Sequence, residues 1–291
     1  MRLFATRRAR VTARIGLYGG AILVGLPFAF SLVMTRTYRL SPPSSPPAGF
    51  EQVFMTSGGM RLRLWIAAGD RLHPVVLVVH GLGDSLESYL EHARLFQARG
   101  HPVALVDLRG HGGSEGSLTT LGGRESDDVR AAMAELRRRG HAETGFVLEG
   151  HSMGAVAVLL AAVGQDDVRA VIVEAPFDTY RDSVRHHAWL IYRLPGSTPI
   201  IPLAIRFAEW RAGFDADEVD AVAAAARVRA PLLAIVDGLD ERMPEAVVAR
   251  IVAAHRGPKR LWVAEGVPHV GAIFHPDYRR QLFSFLEENG L

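Results

Sequence analysis

The sequence contains no cysteine, which excludes several kinds of site at once. Disulfide frameworks, cysteine-ligated zinc sites, iron–sulfur clusters and thiol nucleophiles all require that residue. Two phosphate-binding patterns are also missing, because there is neither a GxxxxGK[ST] loop nor a GxGxxG turn after a strand-like run. No HExxH or comparable metal-binding spacing occurs. The chemistry of this chain is therefore predicted to need no cofactor and no metal.

Acidic residues are missing from the first 40 positions, which hold seven arginines. The other 251 residues carry 26 basic and 31 acidic side chains, so the body of the protein is mildly acidic. Proteins that bind nucleic acid usually present a basic patch or stripe. The charge distribution therefore predicts that nucleic acid is not a partner.

An uncharged stretch from Ile15 to Met34 follows a basic leader, residues 1–14, that contains five arginines. Twenty residues of helix span roughly 30 Å, which is the thickness of a bilayer core. The sequence predicts a transmembrane anchor over residues 15–34. More arginines precede this stretch than follow it, which predicts a cytoplasmic leader and an extracytoplasmic body. The alternative is a signal peptide cleaved near 29–31, which would leave the body secreted or periplasmic.

A proline- and serine-rich segment, Ser41–Pro47, separates this stretch from the body. Proline fixes the backbone φ angle, so the segment is predicted to be an extended, semi-rigid spacer within a linker at residues 35–49. The folded domain is predicted to occupy residues 50–291.

Short β-branched runs alternate with amphipathic stretches throughout the body. Two runs with period-two alternation, 51–56 and 61–67, predict an antiparallel hairpin. Continuous apolar runs, typical of strands buried on both faces of a parallel sheet, occupy 74–79, 102–107, 145–149, 170–174, 231–236 and 260–264. Helical patterns between them predict an α/β fold with a mostly parallel sheet and helices on both faces. The long interval 177–228 is predicted to be a lid inserted over the carboxyl edge of the sheet.

The strongest chemical signal is Gly150-His-Ser-Met-Gly154, which follows an apolar strand and opens an apolar helix. The two glycines permit a tight strand-to-helix turn that exposes the hydroxyl of Ser152. The helix that follows presents unpaired N–H groups at its N-terminus, which can stabilise an oxyanion. Ser152 is therefore the predicted nucleophile.

A serine nucleophile needs a base, and the base needs an acid that orients it. Both are expected in loops that follow later strands. His269 lies after the last predicted strand and before the final helix, so it is the candidate base. The candidates for the acid are Asp178, Asp237, Asp240 and Glu241.

Three further segments, taken with the serine turn, resemble the α/β-hydrolase superfamily. His80-Gly-Leu-Gly-Asp-Ser85 is similar to its oxyanion loop, and Asp107-Leu-Arg-Gly-His-Gly-Gly-Ser-Glu-Gly116 to its DxRGHGxS segment. Residues 231–244, PLLAIVDGLDERMP, resemble the strand and loop that carry the acid. The likeness covers about residues 50–291 and is greatest to the serine hydrolases grouped with monoacylglycerol lipases and serine aminopeptidases. It implies an α/β-hydrolase fold with a lid.

The resemblance also implies roles for individual residues. Ser152 corresponds to the nucleophile, His269 to the base that later acts as an acid, and Asp240, four residues before a loop proline, to the acid. Backbone N–H groups of Leu82 and Met153 correspond to the oxyanion donors. The chain departs from the family pattern at 236–237, where it has Val-Asp instead of His-Gly. Asp237 and Glu241 therefore stay open as rivals of Asp240, and Asp178, after the preceding strand, as a third.

Together these features predict a membrane-anchored serine hydrolase that cleaves carboxylic esters through an acyl-enzyme. The substrate is expected to be a small acyl compound, and the apolar lid favours a lipid-like one. One alternative is a serine aminopeptidase, with Asp215, Asp217, Glu218 and Asp220 as candidates for holding a substrate amino group. The other is a catalytically silent binding or scaffold protein.

Overall fold

The computed structural model describes residues 2–39 and 44–291, without the side chains of residues 2–8, 13 and 15–17. Met1 of the predicted leader and residues 40–43 of the predicted linker lie outside the described residues. The strands are β1 (Phe50–Ser57), β2 (Met60–Ala67), β3 (Val75–Val79), β4 (Val103–Val106), β5 (Phe146–His151), β6 (Val168–Glu174), β7 (Leu232–Asp237) and β8 (Lys259–Ala264). The helices are α1 (Arg2–Met34), α2 (Leu90–Gln97), α3 (Glu125–Arg138), α4 (Met153–Ala162), α5 (Tyr180–Tyr192), α6 (Ile200–Ala212), α7 (Ala221–Ala225), α8 (Glu245–Ala254) and α9 (Tyr278–Glu288). Short 3₁₀ helices occupy Leu86–Tyr89, Ala216–Glu218 and Ala272–Phe274.

The strands form one sheet in the order β1-β2-β4-β3-β5-β6-β7-β8. The hairpin β1–β2 and the pair β2–β4 are antiparallel, and every other pair is parallel. The central strands β3 to β5 are buried along their whole length, which explains their continuous apolar sequences. The predicted α/β fold with a mostly parallel sheet is confirmed.

The side chains of the sheet pack into two apolar clusters, one on each face. Alternate residues of β3 belong to different clusters, because successive side chains of a strand point to opposite faces. Helices α3, α4 and α8 cover one face, whereas α2 and α9 cover the other. Loops that follow the parallel strands therefore meet at one edge of a rigid, doubly covered sheet.

The interval between β6 and β7 holds α5, α6, a 3₁₀ helix and α7 instead of a single crossover helix. Thr179 caps α5 by accepting a hydrogen bond from the N–H of Asp182, and α5 and α6 both end at residues in the left-handed conformation, Arg193 and Gly213. Helix α5 contributes side chains to the cavity that contains Ser152.

The prediction of a transmembrane anchor at residues 15–34 is wrong. Those residues belong to α1, which also includes the arginine-bearing leader. Among the residues that the structure describes, no helix combines the length and the apolar character needed to cross a membrane. The localisation that depended on this anchor, a single-pass protein with its catalytic domain outside the cytoplasm, is corrected with it.

The physical reason for the error lies in the last turns of α1, which pack against protein. Ser31 and Thr35 are fully buried there, and the guanidinium of Arg211 in α6 donates hydrogen bonds to the carbonyl of Ser31 (3.2 Å) and the hydroxyl of Thr35 (2.5 Å). The ring of Phe28 meets that of Phe207 edge-on at 5.5 Å. An uncharged run can serve a protein contact as well as a lipid contact, and charge content alone does not distinguish the two.

Candidate active site

Ser152 lies in a strained turn between β5 and α4. Its φ and ψ angles are 52° and −115°, in a region that residues other than glycine rarely adopt. A Cβ on Gly150 would lie 2.4 Å from the carbonyl oxygen of Gly154, and a Cβ on Gly154 would lie 2.4 Å from that of Val79. Both glycines are therefore needed for the close approach of strand, turn and helix, and the turn presents the serine at the carboxyl edge of the sheet.

His269 lies between Ser152 and Asp240. Its Nε2 atom is 3.0 Å from the Ser152 Oγ, and its Nδ1 atom is 2.5 Å from the Asp240 Oδ2. The Asp240 side chain is almost completely buried, whereas that of His269 keeps 16% of its surface exposed. The three residues come from the loops after β5, β7 and β8, so the fold brings together groups separated by as many as 117 positions.

The Asp240 carboxylate is held in its ionised form. Burial acts to raise its pKa, but the hydrogen bond and charge of His269 and the backbone N–H groups of Arg242 and Met243 outweigh burial and lower the pKa below its usual value. The Arg242 N–H donates to the Asp240 Oδ1 at 2.9 Å. This carboxylate can therefore orient the His269 ring and stabilise a positive charge on it.

The other three candidate acids have different surroundings. Asp178 forms an ion pair with Arg250 and accepts the N–H of Thr179. Glu241 has an exposed side chain. Asp237 is buried, and its Oδ2 accepts the backbone N–H of Val270 at 2.7 Å. Of the four candidates, only Asp240 is hydrogen-bonded through its carboxylate to the imidazole of His269.

The loop between β3 and the first 3₁₀ helix lies directly against the nucleophile. A Cβ built on Gly81 would be 3.3 Å from the Ser152 Cβ, and Leu82 and Met153 both line the cavity that contains Ser152. Met153 is the first residue of α4, where N–H groups lack intrahelical acceptors. The two predicted oxyanion donors therefore belong to two segments that border the cavity of Ser152, one in the loop and one at the start of the helix.

A neutral histidine ties this loop to the next one. Burial lowers the pKa of His80 to about 4. Its Nε2 accepts the N–H of Leu108 at 3.0 Å, so its Nδ1 carries the proton and donates to the carbonyl of Gly81 at 2.7 Å. The DLRGHGGS segment that follows is structural, because Asp107 pairs with Arg63 at 2.6 Å and Arg109 with Asp128 at 2.6 Å, all of them buried.

A network of buried polar groups lies behind the serine turn, and the sequence analysis did not identify it. His92 Nδ1 is 3.0 Å from the Glu149 Oε1, and the Tyr278 hydroxyl donates to the same oxygen at 2.9 Å. Burial acts to lower the pKa of His92, but the charge and hydrogen bond of Glu149, together with the charges of Glu174 and Glu91, raise the pKa overall, which favours an ion pair. His151 Nδ1 lies 2.8 Å from the Glu174 Oε2, within hydrogen-bonding distance. The alternation of Glu149 and His151 within an otherwise apolar strand was the available sequence signal.

Two sets of side chains in the described part of the chain have donor atoms close enough to share a cation. They are His92, His151 and Glu174, and Asp237, Asp240 and His269. Hydrogen bonds among the donors and their neighbours already engage both sets: His92 with Glu149, His151 with Glu174, and His269 with Asp240. The geometry accounts for these residues as hydrogen-bond networks.

Asp237 and Glu174 form a buried pair of acids that makes stability depend on pH. Burial and the adjacent Glu174 carboxylate raise the pKa of Asp237 to about 8, against roughly 3.9 in an unfolded chain. Between these pH values the folded protein holds a proton that the unfolded chain has released, so the free energy of unfolding must fall as pH rises. Asp237→Asn keeps an acceptor for Val270 and adds a donor for Glu174. We expect its unfolding free energy to fall less between about pH 5 and 8 than that of the wild type.

Urea unfolding at about pH 5, 7 and 9 measures this difference, with circular dichroism as the probe. Asp178→Asn, which removes a different strand-end carboxylate, serves as the matched control. Parallel stability curves for the wild type and Asp237→Asn would contradict a shared proton at this pair.

A cavity of about 790 Å³ opens in front of Ser152 and His269. Most of its lining is apolar and comes from the oxyanion loop, α5, the loop after β8 and the C-terminal end of α1. Its size is that of a site for a small organic ligand. The contribution of α1 was not predicted from the sequence, because residues 15–34 were predicted to lie in a membrane.

The acidic residues considered for an aminopeptidase lie elsewhere. Asp215 and Asp220 accept N–H groups at the starts of a 3₁₀ helix and of α7, and Asp217 pairs with Arg181 at 2.5 Å. The four of them line a separate cavity whose lining does not include Ser152 or His269: Asp215, Asp217, Glu218 and Asp220. Asp215 and Asp220 account for the starts of these two helices. None of the four acidic residues lines the cavity that contains Ser152.

Comparisons with known proteins agree with this architecture. Residues 70–206 match the serine aminopeptidase S33 family. The uncharacterized protein YqkD of Bacillus subtilis strain 168 is 30% identical over 216 residues, which cover 73% of this chain and 70% of that protein. The uncharacterized protein Rv2307c of Mycobacterium tuberculosis strain H37Rv is 30% identical over 233 residues, or 79% and 75% of the two chains.

The esterase Pf2001 of Pyrococcus furiosus is similar in structure. Its TM-score is 0.68 at 19% sequence identity, and the match covers 87% of this chain and 98% of that one. A likeness at this identity shows the fold alone. The family match and the two relatives of 30% identity show that the chain belongs to the serine aminopeptidase S33-like α/β hydrolases.

Proposed function

We propose that this hydrolase cleaves carboxylic esters with Ser152 as nucleophile, His269 as general base and acid, and Asp240 as the orienting acid. The observation that carries the proposal is the continuous pair of contacts from Ser152 through His269 to Asp240 at the base of an apolar cavity. The catalytic unit is proposed to comprise residues 50–291, with residues 177–228 as its lid.

The reaction follows from this geometry. The Ser152 Oγ attacks the acyl carbon while its proton passes to the His269 Nε2, and Asp240 stabilises the imidazolium that forms. The N–H groups of Leu82 and Met153 donate to the oxyanion, and each such donor typically contributes ~10²–10³ in rate. His269 then gives its proton to the leaving alkoxide, which leaves an acyl group on Ser152. The same histidine activates a water molecule that releases the acid and restores the serine.

The proposed substrate class is an ester with an apolar acyl group. The cavity walls next to Ser152 are built mainly from aliphatic and aromatic side chains, among them Phe177 and Val184. Contact with such walls favours transfer of apolar acyl groups out of water. A serine at the elbow also argues against the aspartate-dependent epoxide and haloalkane chemistry of the same superfamily.

Labelling with a fluorophosphonate probe tests the activated serine directly. We expect the full-length protein to be labelled and Ser152→Ala and His269→Ala to be unlabelled, with all three folded by circular dichroism. Hydrolysis of p-nitrophenyl butyrate by the wild type then tests the ester reaction. A folded wild-type protein that takes up no label would instead support the silent scaffold.

A peptidase is the second candidate because two acidic side chains, those of Asp84 and Glu91, do lie at the cavity. Asp84 lines it, accepting hydrogen bonds from Ser88 at 3.0 Å and Tyr89 at 3.4 Å. A carboxylate at this place can hold the amino group of an N-terminal residue. Release of p-nitroaniline from aminoacyl anilides, lost in Asp84→Asn while ester hydrolysis is retained, would favour this candidate over an esterase.

A further inference from the structure

The last turns of α1 line the same cavity as Ser152 and His269. Phe30, Val33 and Met34 contribute to its wall. Their spacing of three and four positions places them on one side of the helix. The helix that precedes the hydrolase fold in sequence is thus part of the boundary of its candidate active site.

The contacts of α1 with the body hold this wall in place. Besides the bonds from Arg211 described above, the Phe30 ring meets that of Tyr192 in α5 edge-on at 5.3 Å. The N–H of Thr119 donates to the carbonyl of Thr35 at 3.0 Å, and Arg39 donates to the carbonyls of Ser114 and Gly116 at 2.5 and 3.3 Å. The chain is therefore hydrogen-bonded to the body within the wall, at Ser31, and directly after it, at Thr35 and Arg39.

The outer part of the cavity is apolar and open to solvent. Four lining side chains there keep much of their surface exposed: Val33 51%, Tyr192 49%, Ile191 62% and Phe274 84%. Exposed apolar side chains grouped around a cavity mark a surface that binds an apolar ligand. They come from α1, α5 and the 3₁₀ helix before α9, so a ligand that extends outward from Ser152 passes between these elements.

We propose that α1 forms one wall of the acyl-binding site and that Val33, with Phe30 and Met34, sets the length of acyl chain that the enzyme accepts. The inference rests on the proposed ester hydrolysis at Ser152. An acyl chain covalently attached to the Ser152 Oγ projects into the cavity, and its distal methylenes contact the α1 side chains. Each buried methylene raises kcat/KM by about fourfold, the equivalent of about 0.8 kcal/mol.

The substitution Val33→Trp in the full-length chain tests whether α1 forms this wall of the acyl-binding site. Val33 is half-exposed, so a larger side chain can be placed there without disturbing the buried core. We expect Val33→Trp to lower kcat/KM for p-nitrophenyl decanoate, relative to that for p-nitrophenyl butyrate, by roughly fifteenfold, as for two displaced methylenes. Leu32→Trp is the matched control, because Leu32 is 42% exposed on the same helix and does not line the cavity.

The outcomes separate this inference from the proposed function. A wild type that hydrolyses neither ester contradicts the proposed function. A wild type that hydrolyses both, with Val33→Trp and Leu32→Trp giving the same ratio of decanoate to butyrate activity, contradicts the α1 wall. Binding of cis-parinaric acid to the two tryptophan variants gives a readout without catalysis, and weaker binding to Val33→Trp alone supports the wall. An equal loss for both esters in Val33→Trp overturns it in favour of a structural effect.

Discussion

Replacing Ser152 with alanine is expected to lower kcat for ester hydrolysis on the order of 10⁶-fold. The Oγ atom is the group that becomes covalently bound to the acyl carbon, and no neighbouring side chain can take its place at the end of the His269 contact, 3.0 Å away. Steady-state hydrolysis of p-nitrophenyl butyrate measures the loss. The small residual rate should come from the oxyanion donors and from substrate binding.

The fold is expected to tolerate this change. Alanine keeps the Cβ of Ser152, so the backbone strain at this position is unchanged, and the substitution removes only the Oγ atom that contacts His269. Thermal unfolding of Ser152→Ala should therefore occur close to the wild-type temperature. An alanine variant that is stable and still hydrolyses the ester at a rate within about tenfold of the wild type would be inconsistent with a serine nucleophile.

Replacing Asp240 with asparagine is expected to lower kcat by roughly 10⁴-fold. The carboxylate accepts a hydrogen bond from the His269 Nδ1–H, across 2.5 Å, and so leaves Nε2 free to accept the serine proton. An asparagine amide can donate to Nδ1 instead, which favours the tautomer with a protonated Nε2. The variant should show this loss at neutral pH with little change in KM, because the residue does not line the cavity.

Glu241→Gln is the matched control for this prediction. It changes a carboxylate to an amide in the adjacent position, where the side chain is exposed and has no recorded hydrogen bond in the described part of the chain. We expect its kcat to stay within about twofold of the wild type. A small loss in Asp240→Asn together with a large one in Asp237→Asn would assign the orienting role to Asp237, whose carboxyl bonds the loop of His269 at Val270.

The position of α1 changes how the N-terminal segment is understood. Its arginines and its uncharged stretch belong to one helix of 33 residues, and the end of that helix is bonded to the lid region and to the loop before α3. A segment that appears in the sequence to be an appendage of the hydrolase thereby lines the cavity that contains Ser152. Truncation of the chain before residue 50 removes a wall of the cavity along with the leader.

The sequence by itself determined the sheet and the placement of the serine. Runs of Val, Ile and Leu without alternation require burial on both faces, and the strands β3 to β8 occur within a few residues of those runs. The glycine at position 150 has a local cause, because a Cβ there would lie 2.4 Å from the carbonyl oxygen of Gly154, whereas a Cβ on Gly154 would lie 2.4 Å from that of Val79 on the neighbouring strand. The apolar runs and the glycine-flanked serine turn are nevertheless visible as short patterns in the chain, which is why a single sequence is enough to predict them.

Only the tertiary structure decided which acid meets His269 and where α1 lies. Asp237 and Asp240 are three positions apart on one loop, and their surroundings differ through residues from other strands: Glu174 beside Asp237, and His269 beside Asp240. The uncharged helix likewise has the same composition whether lipid or protein covers it. Its last turns are covered by α5 and α6 because Arg211, Phe207 and Tyr192, about 160 to 180 positions away, complement them. Contacts between distant segments carry no local signature in a sequence, so geometry alone could reveal them.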